Sequence, residues 1–202
     1  MGVAESWVFR VVRLLRGTWW QIARFRRIPG LRIEPGARIW GVVELSQGVL
    51  VRQGALILGN VEGRGVSIGA RTEIGEYAVL KSFEGAITIG PDCHLGPHSC
   101  LYGQGGIEIG AESMLAAGVQ IVSFEHEHAS TDVPMRKQGN RVRPIAIGDD
   151  CWIGAGAVIL GGSKLSQGCI AGAGAVVRGE ILPYSVCVGV PATRQWSRKK
   201  RG

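Results

Sequence analysis

Ile147-Gly148-Asp149-Asp150-Cys151-Trp152-Ile153-Gly154-Ala155-Gly156-Ala157-Val158-Ile159-Leu160 sets the rhythm of the whole chain. An aliphatic or small residue returns every six positions, at Ile147, Ile153, Ile159, Leu165, Ala171 and Val177, with glycine next in line at Gly148, Gly154 and Gly172. The same step links Ile68, Ile74 and Leu80, then Ile89, Leu95 and Leu101, then Ile109, Leu115 and Ile121. A less regular run starts earlier, at Ile33, Ile39, Leu45, Val51 and Ile57. Six residues are too few for a helical repeat but fit a short strand plus a turn, and three such units close one triangular coil of 18 residues. Cys151, Cys169 and Cys187 recur at that interval and are expected to stack in consecutive coils. Cys93, Cys151 and Cys169 each lie four residues after an anchor, a second inward position where a thiol serves as a small apolar filler.

The rhythm also fails in informative places. Coils begin at Ile68, Ile89, Ile109, Ile147 and Leu165, in steps of 21, 20, 38 and 18. The first two excesses are corner bulges, and the third is a protruding loop over about 126–146 that holds Pro134, Gly139, Asn140 and Pro144. A loop of that length in a compact repeat is usually functional or disordered. This one opens on His126 and His128. The 32 glycines in 202 residues suit a chain of many turns and do not fall every third residue, which excludes collagen; 46% apolar and 19% charged residues describe one globular core.

The net charge of +7 sits at the ends. Residues 1–28 carry six arginines against Glu5, and residues 194–202 carry five basic residues with no acid, so residues 29–193 are left at −3. A nucleic-acid-binding domain carries its basic stripe on the fold itself, so no nucleic-acid partner is expected. Arginines interrupt every apolar run near the N-terminus, no window offers the ~18 apolar residues of a spanning helix, and five cysteines are an odd number. Together these predict a cytoplasmic protein with reduced thiols. At 100° per residue Val8, Val11, Val12, Leu15, Trp19 and Ile22 share one side of a helix over 5–27, with Arg10, Arg13, Arg16, Arg24 and Arg27 opposite. Such a helix either caps the open end of a solenoid or lies in the inner face of a membrane through Trp7, Trp19, Trp20 and its basic side. The expected organisation is therefore a basic amphipathic segment (1–28), a repeat domain (29–193) and a basic tail (194–202).

The 147–160 stretch, followed in order and spacing by Gly172-Ala173-Gly174-Ala175-Val176-Val177 and Gly189-Val190-Pro191-Ala192, resembles the hexapeptide-repeat acyltransferases. It is most similar to their maltose/galactoside and polysaccharide O-acetyltransferase branch. The resemblance covers roughly 66–193. It implies an all-β fold, a left-handed parallel β-helix, here with an N-terminal amphipathic helix. It also implies a homotrimer whose active sites lie in clefts between subunits.

O-acetylation of a sugar or glycan acceptor by acetyl-CoA needs a base, because a hydroxyl is a poor nucleophile at neutral pH. Histidine suits the task, with an unperturbed pKa near 6.5. The family places that histidine just before the long loop; the hexapeptide count selects His126, and counting back from Pro144 selects His128. Glu125 or Glu127 is the candidate group to orient the imidazole. By resemblance acetyl-CoA runs along the C-terminal coils, with Ala155 and Ala173 admitting the pantetheine arm and Trp152 matching a family tryptophan. Arg178 and Arg194 replace the family's phosphate-binding lysines from adjacent positions, with Arg198 further along. Two rival readings are a zinc hydratase like the γ-class carbonic anhydrases, which share the helix, and a non-catalytic scaffold. The first needs three histidines brought together; His94 and His98 sit at unlike positions of their hexapeptides, so no metal site is expected.

Overall fold

The computed structural model describes Phe25, residues 27–60 and residues 64–198, apart from the Arg194 side chain. The expected helix over 5–27 lies, except for its last residues, outside them. Phe25 is buried, with Ile28 and Leu31 packed alongside at the N-terminal end of the core. Leu31 N–H then donates to the Ile28 carbonyl as the chain turns through Pro29 and Gly30.

From Arg32 the chain winds into a parallel β-solenoid with three flat faces. Face one carries two-residue strands such as His94–Leu95, Met114–Leu115, Trp152–Ile153 and Ile170–Ala171. Face two stacks Arg38–Trp40, Leu56–Leu58, Val79–Lys81, Cys100–Tyr102, Gln120–Val122, Val158–Leu160 and Val176–Val177. Face three runs from Val43–Leu45 to Glu180–Ile181. The six-residue anchors are buried from Leu45 onward, whereas in the first coil Ile33 is exposed and Ile39 half-buried. Because side chains alternate along a strand, the second inward position follows at the turn, and Thr72, Ala78, Ser99, Ser113, Ala157 and Ser163 fill it together with Cys93, Cys151 and Cys169. The buried hydroxyls are satisfied within the stack: Ser113 Oγ donates to the Gly148 carbonyl at 3.0 Å and accepts from the Cys151 N–H at 3.1 Å.

The strand register shows where the rhythm breaks. Every passage from face three to face one takes six residues, as from Ile68 to Ile74 or Ile147 to Ile153, and so does every passage from face one to face two. All departures fall on the third edge. Ile159 to Leu165 takes six residues there, but Ile57 to Ile68 takes eleven, Leu80 to Ile89 nine, Leu101 to Ile109 eight and Ile121 to Ile147 twenty-six. We call this the insertion edge.

It also corrects the stacking expected for cysteine. Val177 to Ile181 takes only four residues, so the last coil is two short and Cys187 pairs with Ala171 instead of Cys169. Cys151 and Cys169 do fall in consecutive coils, since Trp152 pairs with Ile170. The expected tail begins as a strand, with Arg194–Ser197 antiparallel to Ser185–Val188 on face one.

The faces differ in what they show to solvent. Face three turns Glu44, Ser67, Thr88, Glu108 and Lys164 outward. Face two turns out Leu56, Val79, Val158 and Val176 in one column and Leu58, Val122 and Leu160 in the other, all only half-buried. No helix among the described residues is long and apolar enough to cross a membrane.

Candidate active site on the insertion edge

The twenty-six-residue passage is an ordered arm. The chain leaves the solenoid at Ser123, which is fully buried and bonded on three sides. Its N–H donates to the Tyr102 carbonyl at 3.0 Å, its Oγ accepts from the Gly105 N–H at 2.9 Å, and its carbonyl accepts from the returning Arg143 N–H at 2.8 Å. Phe124–His126 then pairs antiparallel with Asn140–Val142, His126 opposite Asn140. Asn140 ties this hairpin to the coil below through Nδ2 and the Gln104 Oε1 (2.8 Å). At the tip Gln138 accepts from the Ser130 N–H and donates to the Ser130 and Val133 carbonyls, beside a 3₁₀ turn at Met135–Lys137. A cleft of about 730 Å³ runs along face three under the returning strand, between Glu108, Val142 and Lys164.

Strand alternation sorts the residues around His126. Phe124 and His126 project to one side, their rings edge-on at 6.1 Å, and Phe124 continues to Phe83 on the preceding loops. Glu125 projects to the other side. Its carboxylate lies 3.4 Å from the Arg178 guanidinium and 4.0 Å from Arg143 Nε. It is therefore occupied by arginines and faces away from the imidazole it was expected to orient. Glu127 holds the hairpin through its N–H to the Gly139 carbonyl, one step beyond the strand. The exposed His128 places Nδ1 3.0 Å from the His126 carbonyl, so His128 packs against the backbone of His126 while the His126 imidazole stays open.

The residues expected along the cofactor path lie elsewhere. Ala155 and Ala173 stack above Ala117 on the edge between faces one and two, where Gly156 N–H reaches the Ala117 carbonyl and Gly174 N–H the Ala155 carbonyl, both at 2.9 Å. Among the described residues the N–H groups of Ala155 and Ala173 donate to no partner, and both alanines are exposed. Trp152 stands beside them on face one, 49% exposed between Met114 and Ile170. This alanine edge and the insertion edge flank face two from opposite sides, roughly 15–20 Å apart at ~3.3 Å per residue.

The three arginines do not converge either. Arg178 is at the insertion edge, the Arg194 backbone lies on face one, and Arg198 is engaged by Asp150 (2.9 Å), the Gly168 carbonyl (3.1 Å) and the Tyr184 ring. The histidines are dispersed. His94 lies on face one near Glu73, His98 stacks on Tyr77 at the alanine edge, and His126 and His128 are on the arm; among the described residues no three His, Cys, Asp or Glu gather as a metal site.

Sequence reading missed the aromatic group of Phe83, Tyr102 and Phe124. Its members sit on three successive coils, and only the register of the inserted edge brings them together.

Comparison with known proteins gives the coils a family. The profile described as the hexapeptide repeat of succinyl-transferase matches residues 86–123 and 144–178, either side of the arm, and its repeat fits a left-handed β-helix. A protein named probable acetyltransferase, from Mycobacterium tuberculosis, is 31% identical over 176 residues, 87% of this chain and 57% of its own length. The Escherichia coli protein WcaF, named for acetyl transfer in colanic acid biosynthesis, is 27% identical over 125 residues, 59% of this chain and 66% of its own. The chain thus spans little more than half of the mycobacterial relative. An N-acyltransferase from Bacillus cereus, solved with dTDP-4-amino-4,6-dideoxyglucose and coenzyme A, superposes with a TM-score of 0.67 at 22% identity, over 80% of this chain and 86% of that one. It shares the fold.

Proposed function

We propose that this chain is a hexapeptide-repeat acyltransferase that transfers an acetyl group from acetyl-CoA to a sugar hydroxyl, with His126 as the base. One observation carries the reading: the His126 imidazole is exposed at the last paired position of a fixed hairpin, on the edge where the repeat takes on all its extra residues. The imidazole removes the hydroxyl proton as the oxygen attacks the thioester carbonyl. The carbon–sulfur bond of the tetrahedral intermediate then breaks, and the imidazolium returns the proton to the leaving thiolate. A positioned base of this kind contributes typically ~10²–10⁴-fold. The glycan-directed name of WcaF supports a surface-polysaccharide acceptor.

In the same reading the enzyme is a homotrimer with shared sites. Two features support this. The outward surface of face two is largely apolar, with Arg38, Lys81 and Gln120 as its polar members, and patches of that kind mark interfaces. Within one chain, moreover, that face separates the base from the alanine edge expected to receive the pantetheine arm. Residues 1–28 then hold the trimer on the inner leaflet of the membrane, each arginine near an anionic surface adding roughly 1 kcal/mol. Co-sedimentation with anionic vesicles that survives Arg10→Glu, Arg13→Glu and Arg16→Glu together would reject that attachment.

Thiol release from acetyl-CoA over a panel of sugars, sugar nucleotides and one amino sugar tests the activity. The panel should contain an acceptor that releases thiol with the wild type; release with none of them sinks the reading, as does full activity in His126→Ala.

A further inference from the structure

The acetyl transfer described above makes no use of the aromatic residues on the insertion edge. Phe83 is 38% exposed and belongs to a loop inserted between Leu80 and Ile89. Its backbone holds φ +51, in the left-handed region, where a bulky side chain is strained. Its ring meets Tyr102 at 5.6 Å and Phe124 at 5.8 Å, both edge-on, and Phe124 in turn leads to His126. These rings lie outside the solenoid core. A groove of about 390 Å³ opens beside Phe83, with Asn60, Lys81 and Glu84 around it.

The composition of this groove has a definite chemistry. An aromatic ring offers an apolar platform to the C–H face of a pyranose. A carboxylate, an ammonium and an amide around its rim match vicinal hydroxyls, which both donate and accept. The parts come from successive loops of the one edge that accumulates insertions, and in stacked repeats that edge is often the binding face. Phe83 is linked to His126 only through the Phe124 ring, by ring-to-ring steps of 5.8 and 6.1 Å, so a ring seated on Phe83 is placed beside the base and not on it.

We propose that Phe83, with Lys81, Glu84 and Asn60, forms a subsite for a second sugar ring, the neighbour of the one whose hydroxyl meets His126. The acceptor is then a glycan of at least two sugars that lies along the insertion edge toward the N-terminal coils. This rests on the acetyltransferase reading and adds the size and direction of its acceptor.

The experiment compares trisaccharides, cut from bacterial surface polysaccharide that has been stripped of its acetyl groups by base, with the methyl glycosides of their component sugars. The wild type is expected to favour the trisaccharide in kcat/KM. Phe83→Ala is expected to raise the trisaccharide KM on the order of tenfold, the scale of one aromatic contact, while the KM for acetyl-CoA and the melting temperature hold. Phe83→Trp keeps a platform and keeps the preference. Equal use of trisaccharide and monosaccharide by the wild type, or an unchanged trisaccharide KM in a folded Phe83→Ala, overturns the subsite and leaves acetyl transfer standing. Should the wild type release no thiol with any acceptor, the parent reading fails, and calorimetric titration with the same trisaccharides decides the subsite alone. Binding weakened by Phe83→Ala supports it, and no binding overturns it.

Discussion

At the scale of single residues, two histidines two positions apart could not be separated by counting, because the six-residue frame and the count back from Pro144 pointed to different ones. The hairpin gives them different surroundings. His126 is the last paired residue of its strand, with its ring edge-on to Phe124, whereas His128 lies past the pairing and directs Nδ1 to a backbone carbonyl. His126→Ala is therefore expected to lower kcat by at least about 100-fold, the lower end of a positioned base. His128→Ala removes one contact to the hairpin backbone and should cost well under tenfold. Steady-state kinetics on both variants check the order, and a greater loss in His128→Ala would reverse the assignment. Glu125, one of the two carboxylates considered for orienting the imidazole, faces the arginines for a physical reason. In a strand its side chain must oppose that of His126, and nothing in the loop's composition announced that these residues form a strand.

The cysteines give a second residue-scale prediction. Burial pushes the Cys151 thiol up to about 11, and burial likewise raises Cys93 and Cys169. An unfolded thiol titrates near 8.5. Between that value and about 11 the unfolded chain sheds the Cys151 proton while the native chain keeps it, so the unfolded state binds fewer protons and stability falls as pH rises. Below the window Cys151 contributes no pH dependence. Urea midpoints at pH 7.5 and 9.5 should therefore drop more in the wild type than in Cys151→Ala, and a thiol reagent should modify Cys151 only on unfolding.

At the scale of elements, most strands were readable because within each coil the buried anchors from face three through face one to face two keep one six-residue period. The arm was not. Its strands are three residues each, and they are fixed by partners from other coils: Ser123 by Tyr102 and Gly105, Asn140 by Gln104. Local pattern carries no trace of such bonds. Gly105 shows how tightly the root is seated. A Cβ there would collide with the Ser123 carbonyl oxygen and stand 2.7 Å from the Arg143 backbone nitrogen, and neither backbone atom can rotate away. Gly105→Ala is expected to shift the arm as a unit, leaving the solenoid folded. By circular dichroism the variant should keep its β signal, while kcat falls at least about tenfold, since even ~1 Å of misplacement is costly to a positioned base. Undiminished kcat in this variant would show that the root does not hold His126 in place.

At the scale of the whole molecule, the resemblance supplied both halves of a site, and the fold puts them on opposite sides of face two. That arrangement is productive if the alanine edge of one copy meets the insertion edge of the next, which also buries the apolar columns between them. The prediction is complementation. His126→Ala lacks the base but keeps an open alanine edge; Ala155→Trp keeps the base but fills the path of the pantetheine arm. Each alone should be inactive. Unfolded together in equal amounts and refolded, they assort at random in a closed ring, and about one site in four unites an intact base with an intact edge. Thiol release should then return to roughly a quarter of the wild-type rate. If each site instead lies within a single chain, no mixture can unite the two intact halves, and the refolded mixture stays as inactive as its parents.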